Sequence, residues 1–417
     1  MNSLDIFRDD LCDGCGECLQ KCPALRLTGR EAKAEMARLL AGGVGKRIDG
    51  RCCSCFLCDQ LCPKGANPHS LILRRWGERL AKRGAPFFMA LGAPQEPEPN
   101  LWSLARGAYS RRERDITSEW DENFAALRGG DAGGRDFLLM GCNQWLNPLV
   151  ADTGIFRDLR VAGSREFCCG EPYYRSGMLG RAEGIFERNL SLFGTRWAGR
   201  AGPAWRAGRV VVFCPSCFNM LANIYPKLTG RRVAAEMVTL PDWLLERIRD
   251  GKIKFTNKLN MKVWVQRNCH APTLGEDFHD AVLEVLSAAG ARAGPAWRAV
   301  EGEPGGPGRP GRHWCCGLGP AAARQNPLDM AAQMARHLSR LPARDVACYC
   351  NGCLLTMAGV EKAAPLGFRF YHLVDIVRMA AGEKPARYYA GRMARLFATA
   401  LAAAPAAALK KGLRYYP

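Results

Sequence analysis

Cysteine spacing carries the chemistry of this sequence. Cys12-x2-Cys15-x2-Cys18-x3-Cys22 is followed by Pro23, and Cys52-x2-Cys55-x2-Cys58-x3-Cys62 by Pro63. Three closely spaced thiolates can wrap three corners of an iron–sulfide cubane. A fourth, after three further residues, opens a helix whose first turn accepts the proline. One such run could arise by chance or bind zinc. Two of them, 40 residues apart, argue against zinc, which needs four ligands and rarely takes a triple CxxCxxC form. A second arrangement also occurs twice. One set is Cys142, the doublet Cys168–Cys169 before Gly170, and Cys214-Pro-Ser-Cys217. The other is Cys269, Cys315–Cys316 before Gly317, and Cys350-Asn-Gly-Cys353. Five thiols per set exceed the need of a zinc ion, and the doublets do not suit a thioredoxin-like pair. Iron–sulfur binding is expected in at least one of these sets.

The N-terminal spacing is that of bacterial two-cluster ferredoxins, in which the fourth cysteine of each run serves the other cluster. On that pattern one [4Fe–4S] cluster takes Cys12, Cys15, Cys18 and Cys62, and the other takes Cys52, Cys55, Cys58 and Cys22. Gly14 and Gly16 let the first loop curl so that backbone N–H groups face the sulfurs. Cys53 breaks the template and reads as a buried bystander. The 29 residues between Cys22 and Cys52 predict a helix over Thr28 to Leu40.

Strands are expected to present the later thiols. Phe137 to Met140 leads into Cys142, Arg209 to Phe213 into Cys214, Val263 to Val265 into Cys269 and Val346 to Tyr349 into Cys350. Helices are expected after each CxxC, over Phe218 to Leu228 and Leu354 to Lys362. The related segments Leu240-Pro-Asp242 and Leu373-Val-Asp375 then extend the repeat. Strands alternating with helices argue for parallel sheets, with the thiols at the carboxyl ends of the strands and both sets converging on the seam between the halves. The fold class is therefore α+β / α/β: a small, mainly helical domain over 1–83, a connector over 84–135, two repeated α/β cysteine-rich units with parallel strands over 136–256 and 257–383, and a basic and apolar tail over 384–417. The connector predicts helices over Leu101 to Tyr109 and Glu119 to Leu127. The heptapeptide Ala-Gly-Pro-Ala-Trp-Arg-Ala at 201–207 and 293–299 is out of phase with the cysteine repeat and reads as loop insertion.

Composition narrows the function. A chain of 417 residues does not need its 20 cysteines as disulfide staples. Its first ten residues lack the basic start and apolar stretch of a signal peptide. The longest uncharged apolar run, Leu396 to Leu409, is 14 residues with Pro405 inside it, too short to span a bilayer. A cytoplasmic-side location is expected, with the tail able to dock on a membrane partner or to lie as an ordinary surface helix. The formal charge of +19 would suit nucleic acid. However, the basic residues are scattered, and each thiolate-bound cluster, at about −2, offsets part of the excess. No nucleic-acid partner is expected.

The combination of two ferredoxin runs and two complete CCG sets over roughly residues 8 to 380 resembles the heterodisulfide reductase iron–sulfur subunits, in particular the D type, a ferredoxin module fused to a two-CCG module. The resemblance implies that Cys142, Cys168, Cys169, Cys214 and Cys217 hold one noncubane [4Fe–4S] cluster and that Cys269, Cys315, Cys316, Cys350 and Cys353 hold another. The two would face a shared cavity where a disulfide is split, making these cysteines catalytic. It further implies redox partner subunits: a flavoprotein dehydrogenase, or a membrane cytochrome or quinone-reactive protein. A second reading keeps only the electron relay, as in anaerobic glycerol-3-phosphate dehydrogenase, without a disulfide substrate. Excess Lys and Arg would suit an acidic disulfide. The intervals within the two sets differ (25 and 44 residues against 45 and 33), so the loops near the cavity are expected to differ too.

Beside the thiols, His270 and His313 could hand a proton to a released thiolate, but hydrogen-bonded neighbours or plain surface residues are the simpler reading. Cys348 shares a strand face with Cys350. Glu171 to Tyr174, after the first CCG, could line the cavity or simply pack.

Overall fold

The computed structural model describes residues 3–86, 94–95, 98, 100–128, 135–197, 200–201, 208–293, 316, 334–335, 338–339, 341, 343–386, 389–396, 398–399, 402 and 414–415. Cys315, His313, most of both heptapeptide copies, Lys410 and Lys411 lie outside them.

The N-terminal region is helical: α1 (Glu17–Gln20), α2 (Gly29–Leu40), α3 (Leu57–Leu61) and α4 (Pro68–Arg83). Helix α2 fills the interval where the sequence predicts it. Thr28 accepts from the Glu31 backbone N–H while the Glu31 carboxylate accepts from that of Thr28, a reciprocal cap that starts the helix at this point. Helix α4 has Pro68 in its first turn, where no N–H is needed.

The segment read as a connector does more than connect. After Leu101–Gly107, helix α5 runs Arg111–Arg128 and starts earlier than the sequence reading placed it. The cause is a cap at Ser110: its hydroxyl and backbone N–H both donate to the Glu113 carboxylate. Helix α5 buries Ile116, Trp120, Phe124 and Leu127, one face at helical spacing.

Two four-stranded parallel sheets follow. The first comprises β1 (Phe137–Leu139), β2 (Arg160–Ala162), β3 (Val210–Val212) and β4 (Met237–Thr239), in the order β2-β1-β3-β4. The second comprises β5 (Met261–Gln266), β6 (Ala291–Ala293), β7 (Asp345–Cys348) and β8 (Arg369–His372), in the order β6-β5-β7-β8. The orders are the same, so the repeat read from the cysteines is a repeat of topology. In each sheet the chain turns outward on both sides of the first strand, which leaves a crevice at the carboxyl ends of the first and third strands. Between and after the strands lie α6 (Glu171–Tyr174), α7 (Pro215–Phe218), α8 (Leu240–Arg249), α9 (Ala271–Leu274), α10 (Asn351–Ala363) and α11 (Leu373–Ala380). A short antiparallel sheet (Thr195–Trp197, Arg200–Ala201, Arg231–Val233) decorates the first unit.

Strand alternation assigns the core. Phe137, Leu139, Val210 and Val212 face a cluster shared with Leu71, Trp76 and Tyr174, which includes the N-terminal helices. Leu138 and Val211 point the other way, into a cluster with Trp120, Val263 and Val346, which includes the second unit. The first sheet therefore stands between the helical region and the second unit. Backbones touch where α4 meets the first unit. A methyl group on Gly177 (φ +86°) would stand 2.8 Å from Leu73 O and 2.9 Å from Gly77 N, and one on Gly77 would stand 2.7 Å from Gly177 O. Only glycine permits that contact.

The described part of the tail docks on the chain itself. Tyr389, Met393 and Leu396 are buried. Arg392 pairs with Glu113 at 2.6 Å and donates to Leu146 O at 3.1 Å. No helix among the described residues is long and apolar enough to cross a membrane.

Thr239 caps α8 and His372 caps α11. The His372 ring is buried against Phe213, with centroids 5.0 Å apart, and burial pushes its pKa down to about 3. An unfolded histidine binds its proton near pH 6.5. The unfolded chain therefore gains a proton that the folded chain refuses until about pH 3, and stability present above 6.5 is lost as pH falls through that window. Urea midpoints of the metal-free chain should fall across pH 6.5 to 4. His372→Asn, which keeps a capping side chain, should flatten that slope by about one proton.

Candidate functional site

The two thiol loops share one backbone shape. Gly14 (φ 75°) and Gly16 (φ 78°) are left-handed, and so are their counterparts in the second run, Ser54 (φ 54°) and Phe56 (φ 67°). Non-glycine residues pay for that conformation with strain of about 1–2 kcal/mol each. Two contacts offset it: Ser54 Oγ meets His69 Nε2 at 2.7 Å, and the Phe56 ring lies 4.5 Å from His69 and stacks on Tyr174. Backbone N–H groups then reach sulfur, Ser54 N donating to Cys52 Sγ and Ala66 N to Cys62 Sγ, both at 3.4 Å.

Electrostatic neighbourhoods reach across the two runs. Burial raises the Cys18 thiol, and the charges of Cys62, Cys12 and Cys15 raise it further. Burial pushes Cys22 up to about 12, with Cys55 and Cys52 adding to it. Cys58 is raised by burial and then by Asp59, Cys18, Cys52 and Cys55. Thus Cys12, Cys15, Cys18 and Cys62 are electrostatic neighbours, Cys22 neighbours Cys52 and Cys55, and Cys58 neighbours Cys52, Cys55 and Cys18. Cys15 is exposed and Cys12 and Cys62 are half-buried, whereas Cys52, Cys55 and Cys58 are buried. The first set lies nearer the surface.

In the first α/β unit the five thiols form an unbroken chain of contacts: Cys142 with Cys168, Cys168 with Cys169, Cys169 with Cys217, and Cys217 with Cys214. Hydrogen bonding from Cys142, then burial, raises Cys168. Cys169 is raised by Cys168, and Cys217 by Cys169 and Cys214. Gly170 N donates to Cys168 Sγ at 3.3 Å. All five lie beyond the carboxyl ends of β1, β2 and β3; the sequence named the strands before Cys142 and Cys214 and missed β2, before the doublet.

In the second unit Cys353 contacts Cys316 and Cys350, and buried Cys348 adjoins Cys350 and Cys316. Cys269 shares a buried cluster with Cys53, Cys55 and Leu57 of the helical region. Cys53 is therefore packed against two thiols of the predicted sets.

Arg175 ties these parts together. Its guanidinium is fully buried and donates to Ser54 O (2.6 Å), Cys53 O, Cys269 Sγ (3.2 Å) and the Glu171 carboxylate, and it lies 3.0 Å from His270 Nε2. Burial pushes the Glu171 carboxyl up, but the Arg175 charge and His270 outweigh it and hold it at about 2. Burial and then Arg175 push His270 down, so its ring is neutral near pH 7. The sequence reading stopped at Tyr174, although the Glu171–Arg175 spacing of four was the available signal. The turn Cys142–Leu146 packs at the seam, where Asn351 Nδ2 donates to Asn143 O (2.5 Å) and Asn147 Nδ2 to Asn351 Oδ1 (2.9 Å). The gap at the seam is lined by Phe213, Pro215, Thr239, Phe278, Tyr349 and Leu373, and is apolar among the described residues.

Among the described residues no three His, Cys, Asp or Glu side chains are grouped to hold one metal ion. The thiols stand instead as extended sets. Their chemistry suits iron–sulfur ligation: sulfur donors only, with backbone N–H groups on sulfur.

The family described as the 4Fe-4S dicluster domain matches residues 11–67, and the family described as the cysteine-rich domain matches residues 152–222 and 307–358. The chain is 22% identical over 306 residues to the D-type subunit of dihydromethanophenazine:CoB–CoM heterodisulfide reductase from Methanosarcina mazei, covering 65% of this chain and 70% of that one. It is 22% identical over 399 residues to the B-type subunit of fumarate reductase (CoM/CoB) from Methanothermobacter marburgensis, 89% and 72% of the two chains. It is 25% identical over 373 residues to EtfAB:quinone oxidoreductase of Syntrophomonas wolfei, 76% and 48%.

Proposed function

We propose, from the premise that this chain is a 4Fe-4S dicluster domain fused to two cysteine-rich domains and matches the D-type heterodisulfide reductase subunits, that it carries electrons inward to a disulfide/dithiol reaction at the two thiol nests. The observation that carries this reading is the unbroken contact of five thiols in the first nest, of which Cys142 opens the turn that packs at the seam with the second unit. Bound there, iron–sulfur clusters would supply one-electron steps; reduction of a disulfide to two thiols takes two electrons from a partner and two protons from solvent. The chain's own residues do the rest. Cys12, Cys15, Cys18 and Cys62 would hold the outer ferredoxin cluster, and Cys22, Cys52, Cys55 and Cys58 the inner one. The two five-thiol sets would hold noncubane clusters. Arg175 keeps the Cys53–Ser54 loop against Cys269, so the inner cluster faces the second unit. Glu171 stays ionised and His270 neutral, which leaves the charge of Arg175 balanced beside Cys269.

The likeness to EtfAB:quinone oxidoreductase favours a second reading, a relay between a flavoprotein and a membrane partner with no disulfide. Anaerobic reconstitution tests both. Two cubanes alone bind about 8 irons, and occupied nests bring the total to about 16. A count near 8 removes the nests from the chemistry. A full count with no disulfide-dependent oxidation of reduced viologen leaves the relay.

A further inference from the structure

We propose that Gln144 is the hydrogen-bond donor that the fold aims at the sulfur-rich group held by the first thiol nest, and that it raises the reduction potential of that group. The proposal rests on the iron–sulfur reading of that nest. Gln144 lies two residues after Cys142 and is 0% exposed. Among the described residues neither its Oε1 nor its Nε2 has a hydrogen-bond partner. A buried amide left so is costly, and native folds rarely keep one without a use.

The neighbourhood gives its direction. Gly141 precedes Cys142, and a methyl group there would stand 2.7 Å from Cys217 Sγ, 3.2 Å from Gln144 Oε1 and 3.3 Å from Cys214 Cβ. The amide and the Cys214–Cys217 pair therefore meet across the one position that carries no side chain. The two ends of an amide exchange by a flip, so the N–H end can face sulfur.

The turn that carries Gln144 is held firmly. Trp102 Nε1 donates to Cys142 O (2.7 Å), Asn351 Nδ2 to Asn143 O (2.5 Å), Tyr109 Oη to Trp145 O and Arg392 Nε to Leu146 O (3.1 Å). Four carbonyls of the turn are taken by side chains from the connector, the second unit and the tail. The Gln144 amide is positioned by all of them and bonded by none. An N–H on cluster sulfur stabilises the more negative, reduced state, so its presence raises the potential.

Q144M tests this in the full chain, since methionine keeps the shape and removes the donor. The signal that Cys168→Ser abolishes identifies the first nest in an anaerobic redox titration followed by electron paramagnetic resonance. Iron and labile sulfide should match the parent chain. The nest-one midpoint should fall by about tenfold in the reduction equilibrium, about 59 mV for one electron, while the ferredoxin-type signals stay put. The metal-free Q144M chain should melt at or above the parent temperature, because the orphaned amide is gone. Full iron with an unmoved midpoint overturns the role of Gln144 alone, as does a lower melting temperature of the metal-free variant, which would show the amide already bonded. A parent chain with no nest-one signal overturns the iron–sulfur reading and this proposal with it.

Discussion

Arg175→Leu should destabilise the metal-free chain by about 3–5 kcal/mol, the cost of leaving a buried charge without its partner. The substitution strands the Glu171 carboxylate, now held at about 2 chiefly against burial by the guanidinium. It also removes the donors that Ser54 O, Cys53 O and Cys269 Sγ accept from. The pH dependence has a definite sign. A carboxyl depressed in the folded state stabilises the fold above its unfolded pKa of about 4.5, and that contribution disappears as pH falls from 4.5 to about 2. In Arg175→Leu burial acts on Glu171 with less opposition, its pKa rises, and that acid-labile share shrinks or reverses. Arg175→Lys keeps the charge but loses the fork that reaches five partners at once, so it should fall between the two. Urea titrations at pH 7 and pH 4 read both effects. Limited proteolysis adds a spatial check, because cleavage should appear first where the Cys53–Ser54 loop leaves the first unit. Equal midpoints for the parent and Arg175→Leu would show that the network contributes nothing net to stability.

What the sequence made legible follows from how local each signal is. Thiol spacing is a short-range pattern with few chemical alternatives, so the dicluster domain and the strands β1, β3, β5 and β7 that lead into the later thiols could be read directly. Apolar runs such as Val210 to Val212 are buried on both faces, which marks a parallel sheet without any partner in view. Arg175, by contrast, finds its partners at Cys53, Ser54 and Cys269, distant in the chain, and no window of sequence holds them together. The same holds for Tyr389 and Met393. They read as part of an amphipathic tail and bury on the chain itself, because Arg392 finds Glu113 far upstream. The early start of α5 was legible and passed over: Ser110-Arg-Arg-Glu113 is a cap signature that outranks the apolar periodicity beginning later. Cys53 is buried, as its reading as a bystander requires, and it shares its cluster with Cys269 of another unit, which no local pattern shows.

Cys62→Ser should remove about four irons per chain, and the irons lost should be those of the outer set, 40 residues and more upstream. The expectation rests on the crossing. Cys62 follows α3, in the second run, yet its charge acts on Cys12 and Cys18, while Cys22 from the first run adjoins Cys52 and Cys55. A serine oxygen is a poor substitute for thiolate on iron. Because Cys15 is exposed and Cys52, Cys55 and Cys58 are buried, a cluster held by the outer set would be the one within reach of a partner protein. Cys62→Ser should therefore abolish reduction by a protein donor while a small chemical reductant still reaches the inner cluster and the nests. Cys22→Ser should do the reverse, leaving the outer cluster reducible and cutting delivery to the nests. Iron and labile sulfide counts with spin quantitation separate these outcomes. Loss of the inner signal in Cys62→Ser would mean that each run serves its own cluster.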